Sequence, residues 1–312
     1  MISREVGKVL ETREYFGQDR SKYEMYYSPQ NADPDVRIGL MDKYGVDMQL
    51  LNQSTPILLG FGPEEAAKIC ILSNDNTAEL CEKYPDRFVG AAAVSLLDVE
   101  TALHELGRTA KDLGFKCASI STNQNGKGLD SHEYFPFYEK VVDYDIPVFL
   151  HPTHWKSYPL VDMKEGWRMM QVFGWPFDTT QAVWRLMFGG VLDEFPDLKV
   201  VTHHLGGMFP YFRNRAFNAQ RRHKFGMRRP LSEYWKQIYG DSAVDGTIEA
   251  LPCGYAFFGR DRMLFGSDYP FGPEEGEVFI RDNLNGIRTM AIPQGDKEKI
   301  LGGNAKKLLK IK

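Results

Sequence analysis

Apolar residues recur along this chain in short continuous runs, and a longer amphipathic stretch follows each run. Such runs predict strands buried on both faces, because a half-exposed strand would alternate apolar and polar residues. Seven strands are predicted in this way: VDMQLLN (46–52), FVGAAAVS (88–95), FKCASIS (115–121), IPVFLHPT (146–153), LKVVTHH (198–204), YWKQIYGDSAV (234–244) and RMLFGSDYP (262–270).

The stretches between the runs carry helix signals. Asp33-Pro34 is an N-cap followed by proline in the first turn, and Gly45 is a stop signal. The predicted helices cover about 34–44, 63–84, 99–113, 134–142, 178–195 and 302–312. Strands that alternate with helices predict an α/β fold with a parallel sheet, either closed into a barrel or open and doubly wound.

The chain has no G-x-G-x-x-G or Walker sequence, which a doubly wound nucleotide-binding sheet usually carries after its first strand. We therefore expect a TIM-like (β/α)₈ barrel as one domain over residues 1–312, with an irregular segment at 1–30 and an insertion at 152–177. Only seven of the eight strands of such a barrel are predicted, so the first strand is missing or atypical. Either the chain starts downstream of that strand or the protein lacks it by nature. In both cases we expect residues 1–30 to cover the gap or to pair with another subunit.

Charge and composition narrow the function classes. The 312 residues carry a net charge of −4, which gives no electrostatic basis for binding nucleic acid or an anionic membrane. No apolar run is long enough to span a bilayer and no signal sequence is recognisable, so we expect a cytoplasmic protein. The basic stretch 213–229 is interpreted either as a solvated helix face or as an anion-binding surface.

Three predicted strands end in residues that suit catalysis. His151 ends VFLH, His203-His204 ends VVTHH, and Asp268 ends LFGSD. In a parallel barrel the carboxyl ends of the strands converge on one mouth, so these side chains are expected to meet. Imidazole and carboxylate groups together suit a divalent metal ion and proton transfer. A histidine bonded to backbone and an aspartate N-cap are the ordinary alternatives for each residue alone.

Four segments resemble a known family. HPTHW, FPDLKVVTHHLGGMFPYFRNR, RMLFGSDYPFG and GNAKKLL are similar to motifs of the amidohydrolase-related family of the amidohydrolase superfamily, which includes muconate-semialdehyde and resorcylate-type decarboxylases. The resemblance extends from about residue 33 to the C-terminus. It implies that His151 and Asp268 bind a metal, that His204 and Asp268 are catalytic, and that Arg215 reaches a substrate carboxylate across a dimer interface.

Four neighbouring residues are assigned from their own positions in the sequence. His203, as the strand neighbour of His204, is expected to point the other way, into the core or behind the metal ligands. His154 is expected behind the ligands or as a makeshift third ligand. Trp155 and Phe271 are expected to flank a planar substrate.

The sequence departs from the family at one point. The family has an H-x-H pair at the end of its first strand, and both of its histidines bind metal. This sequence contains no H-x-H, and its first histidine, His104, lies on a predicted helix. The expected cofactor is a divalent metal, zinc in the first instance, with the alternative that this chain lacks it.

Three functions are consistent with these residues. The first is a metal-dependent, non-oxidative decarboxylase of an aromatic or unsaturated carboxylic acid. The second is a hydrolase or hydratase that uses the same site. The third is a metal-free barrel without activity, which the missing H-x-H pair favours. The expected partners are a small carboxylic acid and further copies of the chain, in a homodimer or a higher homo-oligomer.

Overall fold

The computed structural model describes residues 28–53, 58, 60–153, 169–223 and 225–311. Among these the strands are β1 (Gln49–Leu51), β2 (Phe88–Ala93), β3 (Cys117–Ser121), β4 (Asn123–Gln124), β5 (Lys127–Gly128), β6 (Val148–His151), β7 (Val200–Thr202), β8 (Ile238–Asp241) and β9 (Met263–Leu264). The helices are α1 (Pro29–Ala32), α2 (Pro34–Tyr44), α3 (Pro63–Lys83), α4 (Val99–Lys111), α5 (Phe135–Asp143), α6 (Trp175–Phe188), α7 (Val191–Glu194), α8 (Arg213–His223), α9 (Leu231–Tyr234), α10 (Leu251–Phe258), α11 (Glu277–Thr289), α12 (Gln294–Glu298) and α13 (Asn304–Leu309).

All seven predicted strands are confirmed, although each is shorter than its apolar run. Their hydrogen-bonded order is β1-β2-β3-β6-β7-β8-β9, and β4 and β5 form a separate antiparallel pair. Within the described part of the chain, no helix is both long enough and apolar enough to cross a membrane. The chain divides into two compact units, Met1–Ser119 and Ile120–Lys312, and the division falls within β3.

In the first unit, β1, β2 and the start of β3 pair in parallel. A buried asparagine on α3 fixes the end of β2: the Asn74 amide oxygen accepts a hydrogen bond from Ala93 N–H at 2.8 Å, and its nitrogen donates to the Ala93 carbonyl at 3.0 Å. The same nitrogen donates to the buried Glu105 carboxylate at 2.7 Å, and Arg108 pairs with that carboxylate. The buried polar groups therefore satisfy one another, as burial requires.

In the second unit, β6, β7, β8 and β9 are parallel, and Val148, Val200 and Ile238 align at their amino ends. The strand interiors are apolar and buried, as the continuous runs predicted. Because the strands are parallel and in register, His151 and Asp241 end their strands at the same edge, and His203 follows the end of β7 there. The second unit thus places polar side chains together at the carboxyl edge.

Two helix predictions differ from the structure. The predicted helix 178–195 is two helices, α6 and α7, because the chain breaks at Gly189-Gly190, where Gly190 has a φ of 88°. The predicted C-terminal helix 302–312 is shorter, and it ends where Lys310 adopts a φ of 54°. Of the predicted irregular segment, residues 1–27 lie outside the described residues and the last two residues begin α1. Of the predicted insertion, 154–168 also lie outside them, and its end forms the start of α6.

An exposed carboxylate joins two lysines in the second unit, and it generates a pH-dependent prediction. Asp145 accepts from Lys199 and from Lys310, each at 2.5 Å, and Lys199 and then Lys310 lower the pKa of its carboxyl to about 2. In D145N this contribution is lost, so we expect a decrease of about 0.5 kcal/mol in the free energy of unfolding at neutral pH, as for a screened surface pair. Because the folded pKa is depressed, the difference from wild type should persist above about pH 4 and vanish towards pH 2.

Urea unfolding of both proteins across that pH range measures the difference. D197N is the matched control, because Asp197 is exposed and forms no ion pair among the described residues. A difference between wild type and D145N that stays constant down to pH 2 would contradict the assignment.

Candidate functional site

Three histidine rings meet at the carboxyl edge of the second unit. The ring centres of His151 and His203 are 5.4 Å apart, those of His151 and His204 are 6.4 Å apart, and those of His203 and His204 are 6.1 Å apart. His151 is the last residue of β6, and the other two follow β7 directly. The prediction that His151 and His204 lie close together is therefore matched by the geometry.

His151 is held as a neutral imidazole. Its Nδ1–H donates to the Pro152 carbonyl oxygen at 2.8 Å, and since a carbonyl only accepts, the proton lies on Nδ1. Burial lowers the pKa of His151 well below its usual value, and the neighbouring rings of His203 and His204 lower it further. At neutral pH its Nε2 therefore carries a lone pair, which is the form that accepts a proton or binds a metal.

A buried carboxylate on α6 supports the end of β6. Asp178 accepts hydrogen bonds from the Thr122 hydroxyl, from Asn123 Nδ2 at 3.1 Å and from the Thr153 N–H at 3.1 Å. Thr122 N–H also donates to the His151 carbonyl at 3.1 Å. The backbone on both sides of His151 is thus fixed by groups that are themselves buried and hydrogen-bonded.

A second buried carboxylate joins β8 to the residues after β7. Asp241 Oδ2 accepts from His203 Nδ1 at 2.5 Å, and Oδ1 accepts from the His204 N–H at 2.9 Å and the Ala243 N–H at 3.1 Å. Burial raises the pKa of Asp241, but His203 and these hydrogen bonds outweigh burial and lower it overall. The carboxylate is therefore ionised and oriented by three donors.

His204 faces a further carboxylate. Its Nε2 lies 3.9 Å from Asp268 Oδ2, so the two groups attract as charges at a distance longer than a hydrogen bond. Burial lowers the pKa of His204, but Asp268 and Asp241 outweigh burial and raise it to about 9. His204 is therefore a cation at neutral pH, beside the neutral His151.

His204 and Asp268 both have a left-handed backbone conformation, which few non-glycine residues adopt. His204 has a φ of 53° and Asp268 a φ of 58°. The turn after Asp268 is closed by the Phe271 N–H, which donates to the Asp268 carbonyl at 3.0 Å. The two side chains consequently leave their strands in directions that strand alternation does not give.

The left-handed segment continues to Gly207, which touches α6. A Cβ built on Gly207 would lie 2.2 Å from the Pro176 carbonyl oxygen, so only glycine fits there. Next to it the Met208 N–H donates to Thr180 Oγ1 at 2.9 Å. The position of His204 thus depends on a close backbone contact with α6.

Comparison with known proteins identifies the family. The family model described as Amidohydrolase matches residues 27–311. The chain is 32% identical over 284 residues to the 2-amino-3-carboxymuconate-6-semialdehyde decarboxylase of Dictyostelium discoideum, an alignment that covers 89% of this chain and 76% of the relative. The chain belongs to the amidohydrolase family.

Two solved structures similar to this amidohydrolase are decarboxylases of aromatic acids. A 2,6-dihydroxybenzoate decarboxylase in complex with 2,6-dihydroxybenzoate matches with a TM-score of 0.78 and 27% identity, over 92% of both chains. The 5-carboxyvanillate decarboxylase of Novosphingobium aromaticivorans, with manganese and 4-hydroxy-3-methoxy-5-nitrobenzoic acid, matches with a TM-score of 0.86 and 25% identity, over 100% of this chain and 94% of the other. These matches confirm the predicted fold class, an α/β fold of the TIM-barrel type.

The predicted substrate residues of this amidohydrolase are not all at the histidine cluster. Arg215 is exposed on α8, with its guanidinium 5.3 Å from the Phe212 ring centre, and it makes no contact with the histidines among the described residues. Phe271 is half-buried in the turn after Asp268. His154 and Trp155 lie outside the described residues. The roles assigned to all four residues stay predictions.

The expectation that His203 points away from His204 is not met. Strand β7 ends at Thr202, so both histidines lie beyond the strand, and the left-handed backbone of His204 ends the alternation. Sequence reasoning also missed Asp241 and Asp178. Asp241 ends the strand IYGD just as Asp268 follows MLFGS, so its position was a usable signal, whereas nothing in the sequence links Asp178 on α6 to β6.

The described residues do not supply enough ligands for a complete metal site. His151 fits a ligand well, because a metal-bound histidine usually donates its other ring N–H to a carbonyl or carboxylate. The resemblance adds only Asp268, and the described residues contain no group of three or more histidine, cysteine, aspartate or glutamate side chains arranged to hold a metal. A structural or catalytic zinc site has three or four protein ligands.

The close approach at Gly207 predicts that a substitution there lowers stability and also disturbs the position of His204. Alanine at this position meets both an unfavourable φ of 65° and the Pro176 carbonyl oxygen at 2.2 Å, so the segment that carries His204 must move. Gly226→Ala is the matched control, since Gly226 has a φ of 71° and nothing within 4 Å of its Cβ position. We expect G226A to lose about 1–2 kcal/mol of unfolding free energy for its φ alone.

We expect G207A to lose at least about 1 kcal/mol more than G226A, because the collision adds to the φ cost. Only G207A should also disturb the His204 side chain. Denaturant unfolding and a histidine NMR spectrum measure both effects, and equal behaviour of the two variants would contradict the predicted contact.

Because the described residues offer only two metal ligands, we predict that the protein binds a metal ion weakly. Protein purified and dialysed without added metal is expected to hold less than one divalent ion per chain, because two donors bind an ion less tightly than three or four. Elemental analysis by mass spectrometry measures the content. One ion per chain that survives dialysis at neutral pH would contradict the prediction and would place further ligands outside the described residues.

Proposed function

We propose that this amidohydrolase is a non-oxidative decarboxylase of an aromatic acid that carries a hydroxyl group beside its carboxylate. The observation that carries the proposal is the cluster itself: a cationic His204 beside Asp268, and a neutral His151 whose ring centre lies 6.4 Å away. One proton donor and one acceptor at a single site suit a reaction that moves a proton to carbon. The similar proteins support the same chemistry, since they are decarboxylases.

The reaction consumes one proton and releases carbon dioxide. His204 Nε2 gives its proton to the ring carbon that bears the carboxylate, and the electron pair of the aromatic ring forms the new C–H bond. The bond between the ring carbon and the carboxylate carbon then breaks. Its electron pair restores the aromatic ring, CO₂ leaves, and His204 takes up a proton from solvent.

Three neighbouring residues have supporting roles in this reaction. Asp268 stabilises the imidazolium of His204 before transfer, as the raised pKa of His204 indicates. When no metal is bound, the Nε2 of His151 accepts a hydrogen bond from the substrate hydroxyl, and the added electron density on the ring makes protonation of the carbon easier. A divalent metal held by His151 would take up the same lone pair and would polarise that hydroxyl instead. Asp178 and its partners hold His151 in place.

Several finer assignments belong to this proposal. Arg215 holds the substrate carboxylate from a neighbouring copy of the chain, in a homodimer or a higher homo-oligomer, which agrees with its exposure on α8. Trp155 and Phe271 flank the ring of the substrate. A divalent metal, zinc in the sequence prediction and manganese in the similar carboxyvanillate decarboxylase, would be held by His151 and Asp268 and would polarise the substrate. Residues 1–312 form a single cytoplasmic domain.

Decarboxylation assays test the function directly. Wild-type protein, with and without added Mn²⁺, is incubated with 2,6-dihydroxybenzoate and 5-carboxyvanillate, and CO₂ release is measured together with hydrolysis of aromatic esters and lactones. H204N is expected to lower kcat/KM by about 10²–10⁴, the contribution of a general acid. Asparagine tolerates the left-handed backbone of His204, so this variant should fold.

The control is H104N, at an exposed histidine on α4. It should retain the wild-type rate. Wild-type protein that hydrolyses the esters but releases no CO₂ would replace the decarboxylase by the hydrolase hypothesis. An H204N variant as fast as wild type would remove the assigned acid.

A further inference from the structure

Asp241 has no role in the family resemblance or in the proposed reaction. Its carboxylate is buried at the end of β8 and lies between the two histidines that follow β7. Both oxygens accept hydrogen bonds from the residues that carry the cluster.

One oxygen determines the form of His203. The contact of 2.5 Å joins Asp241 Oδ2 to His203 Nδ1, and since a carboxylate only accepts, the proton lies on Nδ1. The ring of His203 is therefore fixed both in direction and in tautomer, with Nε2 at the opposite end of the ring. The His203 ring centre lies 5.4 Å from that of His151, so this orientation is set inside the cluster.

The other oxygen holds the backbone of His204. It accepts from the His204 N–H at 2.9 Å, at a residue whose φ of 53° is otherwise unfavourable. It also accepts from the Ala243 N–H at 3.1 Å, so the carboxylate plane cannot rotate without losing a bond on one side. The two histidines are thus placed by a single group.

The residues that follow β9 pack closely against the Asp241 side chain. A Cβ built on Gly266 would lie 2.8 Å from Asp241 Cγ. The Ser242 hydroxyl bridges the same point, because it accepts from the Gly266 N–H at 3.1 Å and donates to the Gly266 carbonyl at 3.2 Å. The segments at the ends of β8 and β9 therefore pack tightly around the Asp241 side chain.

We propose that Asp241 is the positioning residue of the site: it fixes the tautomer and direction of His203 and the backbone of His204, and so aligns the proton donor with the substrate. The structural half of this inference stands on the contacts alone. The kinetic half rests on the proposed decarboxylase function.

Asp241→Asn separates orientation from folding. The two backbone N–H groups need an acceptor, so the amide oxygen must take the place of Oδ1, and the NH₂ group then faces His203 Nδ1. Two donors cannot share this contact, and His203 must move its proton to Nε2 or turn away. Two-bond ¹H–¹⁵N spectra of histidine-labelled protein at pH 8 distinguish the tautomers, and His203→Gln assigns the signal.

We expect His203 to show the Nδ1–H pattern in wild type and to lose it in D241N. We also expect kcat for CO₂ release to fall by about 10–100-fold in D241N, the usual effect of removing the partner of an active-site histidine, with KM changed much less. D193N is the matched control, since Asp193 is a carboxylate of the same unit with 5% side-chain exposure against 8% for Asp241, and it accepts from Tyr234 at 2.6 Å away from the cluster. D193N should keep the wild-type histidine pattern and kcat.

Unchanged His203 signals in D241N would overturn the inference, and so would an equal loss of kcat in D193N. If D241N does not fold, Gly266→Ala tests the same contact, because the added methyl group displaces the carboxylate while its charge remains; His203 should again lose the pure Nδ1–H pattern, and an unchanged pattern would again overturn the inference. If wild-type protein releases no CO₂ from any acid, the proposed function fails, while the tautomer measurement still decides the role of Asp241.

Discussion

Three imidazoles with ring centres within 6.4 Å of one another cannot all carry a charge, and the rest of the site depends on this constraint. Two like charges at such a distance in a partly buried place repel by several kcal/mol at an effective dielectric constant of about 20, so nearby anions decide which ring is protonated. Asp268 and Asp241 lie next to His204 and His203, respectively, whereas the Nδ1–H of His151 donates to the uncharged Pro152 carbonyl. The distribution of carboxylates therefore makes His151 neutral and His204 cationic, and a donor and an acceptor arise from the same residue type.

Much of this arrangement could be predicted from the sequence, because it follows from local patterns. Apolar runs such as FVGAAA and VFLH mark buried parallel strands without any tertiary information, and the N-cap Asp33 indeed accepts from Asp35 N–H at 2.9 Å. Parallel strands in register then bring their carboxyl ends to one edge, so polar residues at three strand ends predict a common site. The same reasoning applies to Asp241, which ends β8.

The remaining features depend on contacts that no local pattern encodes. Asp178 is 56 residues from Thr122, and their contact exists only because α6 returns to the end of β6. The direction of His203 was wrong for a related reason: alternation applies within a strand, and β7 ends two residues earlier than the run VVTHH indicates. Gly207 is required by the Pro176 carbonyl, a partner that the sequence does not identify. Packing between elements, rather than propensity, decides each of these positions.

The number of metal ligands and the hydrogen bonds around the histidines both bear on the chemistry of the site. A metal centre with a full set of protein ligands would orient a substrate and polarise its hydroxyl without help from the charge state of nearby histidines. In the described part of this chain that set is incomplete, yet the carboxylates that orient the histidines are buried and fully hydrogen-bonded. Such pre-organisation is useful where the position of a proton matters, because fixed donors need not reorganise when charge develops in the transition state. In the second unit, the buried carboxylates Asp178 and Asp241 thus fix the positions of the three imidazoles, which the proposed reaction requires because its decisive step is protonation of carbon.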